Sequence, residues 1–177
     1  MPSEYSLYRK IQVVLDVAKS VKVDSIDQLG AEIKGRRLPN FLSRRYDREK
    51  DVFVTDISDK SIRRAVTLCA VLGLVGHDGT LLAKGRQALQ RIRYDRVVAG
   101  QVRAFLKGKG VNIHELNRVI LESLQSSPPV LPTSKELWTI TGSPMSRGMF
   151  SKMLTLLAHC GGAKSSQKKI YLHVDTR

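Results

Sequence analysis

Leu72-Gly73-Leu74-Val75-Gly76-His77-Asp78-Gly79-Thr80-Leu81-Leu82-Ala83-Lys84-Gly85-Arg86-Gln87-Ala88-Leu89 sets two short apolar runs on either side of Asp78-Gly79. That dipeptide suits the positive-φ positions of a tight turn, so the segment predicts a small hairpin. A helix is expected from about Gly85 to about Lys107, burying Leu89, Ile92, Val98, Val102, Phe105 and Leu106. Upstream, another is expected from near Ser58 to Leu72, with Ile62, Ala65, Val66, Cys69 and Leu72 on its apolar side.

Two more helices precede these. Residues 4–21 place Leu7, Tyr8, Ile11, Val14, Leu15 and Ala18 on one face. Asp24 or Ser25 can cap a short second helix that buries Ile26, Leu29 and Ile33 and ends at Gly35 and Pro39. The basic stretch that follows holds Arg36, Arg37, Arg44, Arg45 and Arg48, and reads as a loop with room for one helical turn.

Three helices, a hairpin and a further helix form an order that resembles the winged-helix superfamily. The resemblance is carried by Leu72-Gly73-Leu74-Val75, by the Asp78-Gly79 turn, and by Leu82-Ala83-Lys84-Gly85-Arg86 leading to Ala88-Leu89. Ala83 stands where relatives commonly have a threonine, so the usual cap of the last helix is missing. The resemblance implies a third helix able to enter the major groove of DNA.

The second half repeats the plan. Asn112 can cap a helix burying Ile113, Leu116, Ile120 and Leu124. Residues 126–132 are a Ser/Pro-rich connection with a short strand at Val130 and Leu131. Thr133 and Glu136 have the spacing of a capping box. Ser143-Pro144 reads as a cap with proline at the first helical position, opening a helix that buries Phe150, Met153, Leu154 and Leu157. After Gly161-Gly162, residues 164–174 read as a second hairpin. A shift of 88 residues superimposes Ile62 on Phe150, Ala65 on Met153, Val66 on Leu154 and Cys69 on Leu157, whereas the first helices are offset by about 106. The difference of about 18 points to an insertion in the first module. The expected fold is therefore mainly α with small β-hairpin wings: a first winged-helix module over 1–84 with a basic insertion at about 36–55, a linking helix over 85–110, and a second module over 111–177.

Thirty Lys and Arg oppose sixteen Asp and Glu, a net charge of +14. A positive field of that size concentrates polyanions. On the winged-helix reading, Lys60, Arg63, Arg64 and Thr67 line the outward face of the first module's third helix, and Ser146, Arg147, Ser151 and Lys152 that of the second. A third helix must in any case put polar residues opposite its core. The first wing tip, His77 and Asp78, is a poor surface for phosphate. Lys164, Lys168 and Lys169 on the second hairpin either reach a phosphate backbone or guard an edge strand. Arg36 and Arg37 are further candidates for phosphate, although Asp47, Glu49 and Asp51 follow closely. The partner expected is duplex DNA, bound by a regulator or by the DNA-gripping subunit of a larger complex. A protein–protein adaptor is the alternative, and the low aromatic content (6%) argues against a stacking platform for single strands.

Enzymatic readings find little footing. His77, His114, His159 and His173 fall in different expected elements without the paired spacing of metal ligands. Cys160 aligns with Leu72 and reads as a core residue. Glu32-Ile33-Lys34 is similar to the acid-x-lysine element of many nucleases, but that element belongs on a sheet strand and here ends a helix. Gly108-Lys109-Gly110 lacks the remaining residues of a phosphate-binding loop. No cofactor, metal or membrane partner is expected. Two cysteines and no long apolar run suggest a reducing cytoplasmic or nuclear setting.

Overall fold

Apolar residues spaced three and four apart, several sets preceded by a capping side chain, become helices in the expected order. The computed structural model describes residues 6–90, 93–126 and 132–160. The chain divides into two units, residues 2–91 and residues 92–177.

In the first unit, α1 is Leu7–Ser20, capped by Ser6, and α2 is Ile26–Gly35, where Ser25 accepts from the Gln28 N–H. α3 is Asp59–Val71, capped by Ser58. Ile11, Val14, Leu15 and Ala18 of α1 share a buried core with Leu29 and Ile33 of α2 and with Ile62, Ala65, Val66 and Cys69 of α3. α3 packs on both α1 and α2, which leaves its opposite side in water.

The basic stretch between α2 and α3 is not a loop but a two-stranded antiparallel hairpin. β1, Leu42–Asp47, pairs with β2, Val52–Ile57, so that Leu42 faces Ile57 and Asp47 faces Val52. Val52-Phe53-Val54-Thr55 is β-branched and aromatic, a preference that the arginines of β1 obscure in the sequence. Asp47 Oδ1 accepts the Glu49 and Lys50 N–H groups, which folds the connection. A 3-10 turn, Pro39–Phe41, leads in. The Ser58 N–H donates to the Phe41 carbonyl at 2.9 Å and closes the neck, over a buried Phe41 ring.

The expected hairpin after α3 is reduced to a single antiparallel bridge, Val75 to Leu81, with the Leu82 N–H donating to the Leu74 carbonyl. Gly79 does take positive φ (80°). It is buried, and a Cβ there would lie 2.6 Å from the Ser25 carbonyl oxygen. The turn therefore rests on the segment entering α2 instead of projecting.

Where periodicity predicts one helix over 85–107, there are two: α4, Ala83–Ala88, which packs on α1, and α5, Tyr94–Gly108. Leu82 occupies the cap of α4 without a side-chain bond, and Ala83 is the first helical residue.

The second unit contains α5, α6 (Ile113–Gln125, capped by Asn112), α7 (Ser134–Ile140, with both bonds of the Thr133–Glu136 capping box) and α8 (Arg147–Cys160). Ser143-Pro144 does not open α8. Gly142 (φ 56°) and the Trp138 Nε1–H, which donates to the Met145 carbonyl at 2.8 Å, hold residues 141–146 in a turn, and the helix starts one turn later. α8 begins 88 residues after α3, and α6 begins 106 after α1, the offsets expected from the apolar pattern. The packing differs, however. α3 takes its main partners from α1 and α2, whereas α8 takes its own from α5 and α7. The expected strand at 130–131 and second hairpin at 164–174 lie outside the described residues.

Candidate nucleic-acid interface

Lys60, Arg63, Arg64 and Thr67 are all exposed on α3. Successive helical residues advance about 100° and 1.5 Å, so these four fall within an arc of about 100° over about 10 Å of axis. Ile62, Ala65 and Cys69 occupy the other side and are buried. The face is thus rigidly held from behind, with three cations and one hydroxyl in front.

Its charge is not uniform. A shallow groove of about 140 Å³ between α2 and α3 is lined by Asp27, Lys34, Asp59, Arg63 and Thr67. Lys34 Nζ meets Asp59 Oδ2 at 3.0 Å, both side chains being more than half exposed. Such a pair contributes at most about 1 kcal/mol. Asp59 also lies in the first turn of α3, where a carboxylate suits the helix dipole. The groove edge is therefore mixed in sign, while Lys60 and Arg64 form the purely positive part.

α8 is a much weaker counterpart. At the 88-residue shift, Gly148, Ser151, Lys152 and Thr155 stand where α3 has Lys60, Arg63, Arg64 and Thr67. Ser146 and Arg147 are exposed at the start of α8, but Ser151 and Lys152 are half-buried. Two cations, one of them half-covered, replace three.

The remaining candidates separate. Arg36 caps the C-terminus of α2, and its guanidinium donates to Ser20 Oγ at 2.9 Å, at the end of α1. Arg37 is exposed with left-handed backbone (φ 48°), the position after a helix that usually selects glycine. His77 and Asp78 sit on the docked turn. Hydrogen bonds from the Thr80 N–H and hydroxyl hold the Asp78 carboxyl below its ordinary range. Lys164, Lys168 and Lys169 lie outside the described residues.

The hairpin carries a surface that the charge pattern hides. Leu42, Arg44 and Tyr46 share one face with Phe53, Thr55 and Ile57. Phe53 is 60% and Tyr46 48% exposed. Their rings lie 5.2 Å apart, and the Arg44 guanidinium sits 4.2 Å from the Phe53 centroid. The Tyr46 hydroxyl donates to Asp51. The signal available in the sequence is Tyr46 and Val52-Phe53 on either side of five polar residues, 47–51.

Among the described residues no three His, Cys, Asp or Glu side chains are grouped to hold a metal. Burial pushes the Cys69 thiol well up, and burial with the nearby Asp95 pushes Cys160 up to about 12, so both are thiols at neutral pH. No described helix is long and apolar enough to cross a membrane. Comparison of the chain with models of known protein families, with curated proteins and with solved structures finds no match.

Proposed function

We propose that this protein binds double-stranded DNA, with α3 as the groove-facing helix of a winged-helix-like first unit, as a regulator or as the DNA-gripping subunit of a larger assembly. The observation that carries the reading is the exposed line Lys60, Arg63, Arg64 and Thr67 on a helix whose other side is fully packed. Arginine can bond a guanine edge with two donors, lysine can meet phosphate, and the major groove admits a helix of this width. The order α1, α2, α3, bridge, α4 supports the winged-helix comparison. The docked Gly79 turn leaves α3 as the first unit's main contact, and the sparse charge of α8 makes it the weaker of the two helices.

The test is duplex binding by fluorescence anisotropy on a 30-base-pair probe between 50 and 200 mM salt. Each neutralised phosphate adds about 0.9 to the log–log salt slope, so an Arg63→Gln/Arg64→Gln variant should lower the slope by up to about 1.8. A folded variant that binds with the parent's affinity and slope removes α3 from the interface.

A second reading, a protein-docking adaptor, draws on the hairpin. Exposed Tyr46 and Phe53 beside Arg44 are the residue types that dominate protein interfaces. A Tyr46→Ser/Phe53→Ser variant that loses a stoichiometric partner while keeping duplex affinity would favour it.

A further inference from the structure

We infer that α5 carries a second docking face for duplex nucleic acid, one that tracks the phosphate backbone independently of α3. Arg93 at the helix cap and Arg96, Arg103 and Lys107 along the helix are all exposed. At about 100° per residue they fall within an arc of about 80° and span about 21 Å of axis. On a continuous helix Arg91 falls about 160° from Arg93 and off this line, and α5, which starts at Tyr94, does not include it. The opposite side, Tyr94, Val98, Val102 and Leu106, is buried, and the helix packs along α8.

Charge and shape agree on the occupant. Residues 92–177 hold thirteen Lys and Arg against five Asp and Glu. Two of those acids, Glu115 and Glu122, are engaged by Arg118, the first at 2.5 Å and the second at 2.6 Å. Asp95, the one acid on α5, lies about 80° beyond the edge of the line. Among the described residues no ion pair joins a carboxylate to any of the four cations. α8 has Gly148 and Ser151 where α3 has Lys60 and Arg63, so α5 is the better basic face of this unit.

Gly100 supplies a separate observation. It sits in the middle of the line, exposed, in a helix interior where glycine is the weakest former apart from proline. A Cβ there would meet nothing within 4 Å, so packing inside the protein gives no reason for it. Close approach of a partner to the helix backbone does.

A membrane fits less well. A helix that lies on a bilayer inserts its apolar face, and here that face is covered by α8. A single strand would need bases stacked on aromatic rings, and none lies within the line. Regular phosphates, one per 1.7 Å of duplex axis, suit a straight basic edge without base recognition.

This inference rests on the nucleic-acid reading of the chain but not on α3. The experiment compares Arg96→Gln/Arg103→Gln with Arg63→Gln/Arg64→Gln in the full chain, using a 30-base-pair duplex of scrambled sequence from 50 to 200 mM salt. The α5 pair should lower the salt slope by about 1.8, which weakens the salt response over that range by about twelvefold. Gly100→Gln should raise the melting temperature and yet weaken binding. If the α5 pair keeps the parent's slope while the α3 pair loses it, α5 is not a docking face and α3 stands. The reverse outcome removes α3 and keeps α5. No duplex binding by the parent overturns both, and retained duplex binding with lost capture by phosphatidylserine vesicles or an acidic protein overturns the choice of partner.

Discussion

Replacing Gly85 with alanine sets two physical effects against each other. Gly85 is a buried residue of α4, and helix propensity alone favours alanine by about 1 kcal/mol. The added Cβ, however, would stand 2.2 Å from the Leu74 carbonyl oxygen and 2.7 Å from Leu81 Cδ1. The first of these is backbone and cannot swing aside. Relief requires α4 and the bridge to part by roughly 1 Å, which strains the Leu82 N–H bond to the same carbonyl, now 3.1 Å. Overpacking costs about 1–3 kcal/mol and a weakened hydrogen bond about 1, so the net expected loss is about 1–3 kcal/mol after the propensity gain. In a unit of this size each kcal/mol lowers Tm by about 4–8 °C. Far-UV circular dichroism melts, with urea unfolding as a second measure, read the effect. Gly100→Ala is the internal control, because its Cβ meets nothing and should raise stability by about 0.5–1 kcal/mol. A Gly85→Ala protein that melts at or above the parent would refute the close approach of α4 to Leu74.

Arg37→Gly should hold or raise stability by up to about 1 kcal/mol, since it releases a left-handed non-glycine residue, and urea midpoints report it. A lower duplex affinity in the same variant would show that the strained arginine touches phosphate. Asp59→Asn removes a carboxylate from the groove beside Arg63; it should tighten duplex binding at low salt and cost no more than about 1 kcal/mol of stability. Asp78→Asn should flatten the acid limb of stability. The folded carboxyl is held below its ordinary value, so its contribution is full above the ordinary range and fades as pH falls through the lowered one. Melting curves from pH 6 to pH 2.5 that stay parallel for parent and variant would count against it.

Sequence periodicity recovered what depends on neighbours three and four residues away. Ser25, Asn112 and Thr133 cap helices as their spacing implies, and the apolar sets of α1, α2, α3, α6 and α8 are largely buried. What it missed depends on phase and tertiary contact. Ala88 and Tyr94 both fit one helical pattern, and the apolar spacing does not mark the break between α4 and α5. Ser143-Pro144 obeys the rule for a helix start, but the Trp138 indole bonds the Met145 carbonyl and delays it. Arg44 and Arg45 mask a strand because their charge obscures the alternating Leu42, Arg44 and Tyr46 face. The outward line of α3 was legible; the depletion of α8 required putting Gly148 beside Lys60.

The neck of the β1–β2 hairpin has a consequence for how this chain can change. One hydrogen bond joins its entry to its exit, so the chain leaves and rejoins the helical body at almost the same point, and the matching place in the second unit is crossed by six residues, 141–146. An outgrowth rooted at a single point can be shortened, enlarged or exchanged while the helices on either side stay where they are. The decoration is therefore the part of the first unit freest to acquire a separate duty, and the natural site at which to graft a probe or an epitope.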